Sequence, residues 1–546
     1  MSAFADLPNE LVERIFRHTL DGTPHTNRKQ LQRLAWLNSA AHQTARRLLY
    51  RWITIATPEQ AVKTLELLRK NAALAGAVRT LVIKPEAFQD PSSFTDLEQD
   101  DLVRLITNAT SFDSPYGSFA PRVSGKPKQA YPQALRSCRL GPPLFDPNLD
   151  DMNSEDEMVG GAFIRTGITY SPWGAYWTLL EDLPFTLTTL NLSHLNADVF
   201  PAAPPAEPFP VVHLTTLLLD FISVAPAVLE HLVQASPNLE KLKIWSVTQV
   251  RGGNTVNVVK QVGGQLKEFL FKPANGHGQS AKLAHELVPH LSNVKRLTLG
   301  DKACDHEIWA ILPPSLTHLC VALRTHHSNA RLDTVSDVIT TRLTSLQVLE
   351  LYSSLYFPPP IEVEYQVDSE AKSTLRELRL SHIQTTDADL SKFLYAVGAN
   401  LHTLAIHRVL ADAAAPLAFC TRLRRLELGA RGFLPEQESS YFNELYLPYL
   451  SFLRVHLASG VALADLLDAL PLLTRPREGP SHLKTLELVG IFPDNLSSDW
   501  LSAKGIDRLV EICREGGVDF VMNGRPVETL GELWSALVGQ TGREEL

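Results

Sequence analysis

One short pattern of apolar and polar positions recurs through most of this chain: apolar-x-x-apolar-x-apolar. It begins at Leu187 (LTTLNL), Leu214 (LTTLLL), Leu239 (LEKLKI), Leu266 (LKEFLF), Val294 (VKRLTL) and Leu316 (LTHLCV). It continues at Leu346 (LQVLEL), Leu375 (LRELRL), Leu401 (LHTLAI), Leu423 (LRRLEL), Leu450 (LSFLRV) and Leu483 (LKTLEL), with an upstream copy, VRTLVI, at Val78. From Leu187 onward, successive starts lie about 22 to 33 residues apart, a period typical of stacked repeats. The end of each motif alternates, so positions four and six aim into a core and positions three, five and seven face out. Between motifs, Ala227–Ala235, Ala281–Leu291 and Asp389–Val397 carry apolar residues at helical spacing. Several of these segments end in Pro-Asn, Ser-Asn or Ala-Asn just before the next strand, which suits a helix stop and a turn. One such unit cannot bury its own apolar edge, so neighbours must stack into a parallel sheet. The expected fold is α/β, a solenoid whose parallel strands line a concave face.

The motif series resembles a leucine-rich-repeat protein of the irregular type, which implies a horseshoe. It departs from the most regular members by lacking a strict Asn at the turn after each strand.

The first fifty residues have a different rhythm. Leu11, Val12, Ile15, Phe16 and Leu20 share one face of an amphipathic helix, with Asp6 as N-cap and Pro8 near its first position. Asp21-Gly22-Thr23-Pro24 breaks it. Leu31, Leu34, Trp36 and Leu37 suggest a second helix, and Ala40 to Tyr50 a third. This stretch resembles the F-box, in particular that of fungal F-box proteins. The matching residues are Leu7, Pro8, Glu10, Leu11, Ile15 and Phe16, then Leu34 and Leu37, then Leu49-Tyr50-Arg51 leading into Trp52–Ile55. It departs from the family in placing Ala41 or His42 where a large aromatic usually stands. The resemblance implies a small helical bundle that docks on a Skp-type adaptor of a cullin scaffold, while the repeats hold a protein substrate. Leu7, Pro8, Leu11, Ile15 and Phe16 would then contact the adaptor. The same residues could instead form an ordinary cap, since terminal repeats need one. In that case the chain is a leucine-rich-repeat scaffold or inhibitor without ligase association.

The expected organisation is an F-box-like module over 1–50, first repeats over 51–114, an irregular acidic insertion over 115–173, the solenoid over 174–526 and a closing helix and tail over 527–546. The insertion includes DPNLDDMNSEDE from Asp146 to Glu157 and reads as a solvated loop.

Charge narrows the partners. The net charge of −9 argues against general nucleic-acid binding, which needs a basic face. Residues 1–51 nonetheless hold eight basic side chains against four acidic ones, a basic head that would steer toward an acidic partner. No apolar run is long enough to predict a membrane span. The five cysteines are scattered and odd in number, and the opening shows no secretory pattern, so the cytosol or nucleus is expected.

No nucleotide-binding, metalloprotease or hydrolase motif stands in a fitting context, so no catalytic residue and no cofactor is expected. Cys304-x-His306 and His326-His327 match no zinc spacing, and no metal is expected. Cys320 should line the outward face without a basic partner to activate it. The outward positions of the later repeats give Tyr352, Arg379, His407, Arg425, Phe452, Arg454 and His456 as candidates for substrate binding. Arg, His and aromatic groups in one groove suit an acidic or phosphorylated peptide. The alternative is that Glu350, Arg379, Glu427, Arg454 and Glu487 pair with one another across the strands.

Overall fold

The computed structural model describes Leu31 and residues 39–84, 102–114, 134–140, 185–193, 211–220, 223–249, 255–272, 277–323, 332–353, 373–407, 417–429, 447–456, 466–473, 483–489 and 503–527, apart from breaks of one to three residues inside some of these ranges. They belong to two compact units, Met1–Leu266 and Lys267–Leu546.

In the first unit the helix Ser39–Tyr50 buries Thr44 and Ala45 and runs through Arg51 into β1 (Trp52–Ile55). The chain returns through the helix Pro58–Lys70, whose start is set by its sequence. The Thr57 hydroxyl accepts from the Gln60 N–H, and Pro58 supplies a first-turn residue that needs no donor. Ala61, Leu65 and Leu68 bury one face of that helix. The strands β2 (Thr80–Ile83), β3 (Ser111–Ser114), β4 (Ser137–Leu140), β5 (Thr189–Ser193) and β6 (Thr216–Asp220) follow. β7 (Ser223–Val224), β8 (Lys241–Trp245) and β9 (Thr248–Gln249) complete the unit. β1 to β6 and then β8 lie side by side, each parallel to the next. β7 and β9 pair only with each other.

The second unit repeats the arrangement with β10 (Glu268–Lys272), β11 (Arg296–Leu299), β12 (His318–Leu323), β13 (Val348–Ser353), β14 (Glu377–Ser381) and β15 (Thr403–His407). It continues with β16 (Arg425–Leu428), β17 (Phe452–His456), β18 (Thr485–Val489) and β19 (Asp519–Met522), every neighbouring pair parallel. The register keeps equivalent motif positions adjacent. Leu349, Leu378, Leu404, Leu426, Leu453 and Leu486 form one continuous inner row and are fully buried. Burying each such side chain contributes about 1.5–3 kcal/mol. One hydrogen-bond scheme joins the repeats: the carbonyl at position two accepts the N–H groups of positions two and three of the next repeat. Arg376 O accepts from His402 and Thr403, and His402 O from Arg424 and Arg425. Helices at His277–Leu287 and Asp387–Val397 return the chain where helical spacing predicts them. Both units are therefore built as open, parallel leucine-rich-repeat solenoids.

The structure differs from the sequence expectations at several points. The segment 115–173, expected to be an insertion, contains a repeat strand, β4. Its motif, LRSCRL from Leu135, carries Cys138 at position four, and Cys138 is fully buried between its neighbours. The solenoid also does not end in parallel strands. After β19 the chain turns at Gly524 (φ 76°) into β20 (Arg525–Pro526), which pairs antiparallel, as so short a connection requires. The F-box-like positions Leu7, Pro8, Leu11, Ile15 and Phe16 lie outside the described residues, as does the expected closing helix after Val527.

Candidate functional site

Positions three, five and seven of β13 to β18 present side chains away from the leucine core. Every substrate-binding candidate expected from the sequence lies there. Tyr352 is on β13, Arg379 on β14, His407 on β15, Arg425 on β16, and Phe452, Arg454 and His456 on β17. The register brings some of them together. Arg425 stands beside Phe452 on the next strand, and its guanidinium lies 4.0 Å from the Phe452 ring centroid. Arg454 approaches the same ring at 5.8 Å. Arg379 is set apart from this group by Ala405, its partner on β15. Ser381 lies between Tyr352 and His407 in the register.

Carboxylates tie the arginines into a ladder. Arg379 reaches Glu377 at 2.6 Å and Glu350 at 3.7 Å. Arg425 donates to Glu427 at 2.6 Å. Arg454 bridges, donating to Glu427 at 3.3 Å on one side and to Glu487 at 2.9 Å on the other. Three arginines against four glutamates leave this face close to neutral, so each guanidinium is oriented rather than available as excess positive charge. The bridge also explains a burial pattern that strict alternation does not predict. Glu487 stands at an outward position yet is buried beside Arg454, whose guanidinium donates to its carboxylate.

These contacts set the protonation states. Burial alone would raise the Glu427 carboxyl. The Arg425 hydrogen bond and the charges of Arg425 and Arg454 outweigh burial and hold it below its usual range. Burial pushes His407 down, and the nearby charges of Arg454 and Arg379 push it further against the pull of Glu427. His407 thus stands neutral in the upper outward row, beside Gly429. A Cβ at Gly429 would collide with the His407 ring and come within 2.9 Å of its Cα, so glycine gives the imidazole its place. Cys320 faces outward on β12 and is half-buried. Burial and the charge of Glu350 push its thiol up to about 12, so it stays protonated.

Of the earlier outward residues, Lys243 lies 4.2 Å from the Trp245 ring centroid in the first unit, and Asp220 is 3.9 Å from its ammonium. Cys304 is buried, whereas His306, His326 and His327 lie outside the described residues. Among the described residues no three His, Cys, Asp or Glu side chains are grouped to hold a metal ion, and no helix is long and apolar enough to cross a membrane. Sequence reasoning missed Glu377 as the tightest partner of Arg379. It is two residues away on the same strand, a spacing at which outward side chains share a face.

No protein-family model and no curated protein sequence matches the chain. Solved structures that align with the chain include the leucine-rich repeat-containing protein LegL7 from Legionella pneumophila. The two are 11% identical with a TM-score of 0.31, over 65% of this chain and 90% of that one. The complex of Rad7 and Elc1 from yeast aligns at 18% identity and a TM-score of 0.35, over 65% and 78%. The mouse RP105/MD-1 complex aligns at 13% identity and 0.28, over 76% and 83%.

Proposed function

We propose that this chain is the substrate-recognition subunit of a Skp–cullin–F-box type ubiquitin ligase, acting in the cytosol or nucleus without catalytic residues or a cofactor. Its N-terminal module would bind the Skp-type adaptor, and the outward face of the second unit a protein substrate. The observation that carries this reading is the join between head and repeats. The Leu49-Tyr50-Arg51 exit of the F-box-like segment is itself part of the first rung. The Arg51 carbonyl accepts from the N–H groups of Arg79 and Thr80 at 2.9 and 3.0 Å, as a position-two carbonyl does throughout the array. The helix Ser39–Tyr50 is thereby joined directly to the first repeats, an arrangement that suits a receptor that must present a substrate to the partner of its N-terminal module. On the outward face, Arg425 and Arg454 at Phe452, with Arg379 set apart on β14, are held by carboxylates and form with His407 and His456 a polar and aromatic surface suited to selective protein contact.

The test is co-purification with a Skp-type adaptor from purified components. The wild type should retain the adaptor, and Leu7→Ala with Pro8→Ala should release it with little change in melting temperature. Arg379→Glu with Arg454→Glu should retain the adaptor and lose the substrate. A wild type that does not hold the adaptor removes the ligase reading and leaves a leucine-rich-repeat interaction scaffold. In that case the Leu7/Pro8 change should instead cost more than about 2 kcal/mol as a buried cap.

A further inference from the structure

The second unit has another surface, along the edge where its strands begin. Position two of each motif lies there. In the later repeats it is held in turn by Arg376, His402, Arg424, Ser451 and Lys484. Their backbones are stacked directly, since each carbonyl accepts from the next residue in the series. Rungs of a sheet are about 4.8 Å apart, so these side chains rise in file along one edge. Arg376, Arg424 and Lys484 are exposed. Two residues before Arg424, Arg422 joins the same edge and donates to Asn400 Oδ1 at 3.2 Å.

The contrast with the outward face is chemical. There, Arg379, Arg425 and Arg454 each have a carboxylate within ion-pair distance. Among the described residues, no carboxylate pairs with Arg376, Arg422, Arg424 or Lys484. Exposed aromatics accompany them. Tyr395 (52% exposed) meets Phe419 (37%) edge to face with ring centroids 5.3 Å apart. Tyr449 (54%) occupies, one repeat later, the position that Arg422 holds. The Tyr395–Phe419 pair is fixed to the basic file by two contacts between the same repeats. Gly398 abuts the Phe419 carbonyl, where a Cβ would come within 3.2 Å, and Asn400 receives the Arg422 hydrogen bond. Large apolar rings exposed near guanidinium groups that pair with no carboxylate among the described residues, on a chain of net charge −9, form a local exception, in the residue types that dominate binding hot spots.

We propose that this edge is a second docking surface, whose occupant is an acidic peptide segment of a partner protein carrying an aromatic or large aliphatic residue. The segment's carboxylates would pair with Arg376, Arg422, Arg424 and Lys484, and its apolar residue would cover Tyr395 and Phe419. A short peptide fits better than a nucleic acid because the chain as a whole carries a net charge of −9, which opposes a long polyanion more than a segment with a few carboxylates. The surface is separate from the outward face and does not depend on adaptor association.

The experiment is fluorescence anisotropy with the full chain and three labelled probes. One is a peptide of about a dozen residues rich in Asp and Glu with one Trp. The second is its Asn/Gln counterpart, and the third a single-stranded oligonucleotide of similar charge. The acidic peptide should bind, with affinity falling as salt rises, and the neutral one should not. Arg376→Glu with Arg424→Glu should weaken it by about tenfold or more, and Tyr395→Ser with Phe419→Ser by about as much. Arg508→Glu, the same reversal at an exposed site on the helix Ala503–Gly516, should leave it unchanged. Circular dichroism melts of each variant establish that the fold is retained. The proposal is overturned if the wild type does not bind the acidic peptide, if the edge variants bind it as the wild type does, or if the oligonucleotide binds more tightly.

Discussion

Replacing Arg454 by Leu tests whether the outward ladder is a set of solvated, nearly neutral ion pairs or a structural element. Arg454 donates through Nε to Glu487 and through Nη1 to Glu427. Its side chain is 35% exposed and that of Glu487 only 10%. Breaking a fully buried pair by removing one partner costs about 3–5 kcal/mol, because the other charge is stranded. An exposed pair is worth about 0–1 kcal/mol. Arg454 lies between these limits. Glu427 keeps Arg425, so only Glu487 is stranded, and the expected cost is about 1–3 kcal/mol. Adding Glu487→Leu removes the stranded carboxylate, so the double variant should lose less than the sum of the singles, with a coupling of about 1–2 kcal/mol. Urea unfolding followed by tryptophan fluorescence measures all three variants. An independent readout is His407. The Arg454 charge helps hold its pKa down, so the imidazole of Arg454→Leu should titrate at higher pH by NMR. A single variant within about 0.5 kcal/mol of wild type, with no coupling and an unmoved His407, would refute the assignment.

Three further outcomes follow from the same geometry. Leu378 is fully buried within the inner row, so Leu378→Ala should cost about 2–5 kcal/mol in chemical denaturation, whereas Thr403→Ala on the outward side should cost well under 1 kcal/mol. His407 has a folded pKa below its ordinary 6.5, so the unfolded chain binds the proton more readily. Its contribution to stability is present above pH 6.5 and lost as pH falls through the folded value, and stability curves of His407→Gln should decline less than wild type across that window. Gly429→Ala should displace the His407 ring and cost about 1–3 kcal/mol, visible as a lowered melting temperature and a shifted imidazole resonance.

The amino-acid sequence by itself determined the inner architecture. A strand of this kind needs apolar residues at motif positions one, four and six, and period-two alternation leaves no choice about which way they point. Leu375, Leu378 and Leu380 therefore announced β14 and its buried side before any contact was known. The same logic passed over β4, because Cys138 fills an inner position without the expected Leu. What tertiary structure alone decided was the pairing of polar groups. Arg379, Arg425 and Arg454 are alike in sequence, and only the register of neighbouring strands sets Arg454 between Glu427 and Glu487 and Arg425 over Phe452. Residues far apart in sequence meet through that register. Arg376 and Arg424 lie on one edge, and Tyr395 meets Phe419, because equivalent motif positions are stacked whatever the length of the return between them, so each side chain's neighbours belong to other repeats. Local pattern fixes which face a side chain takes, and the stacking of distant segments fixes what it meets there.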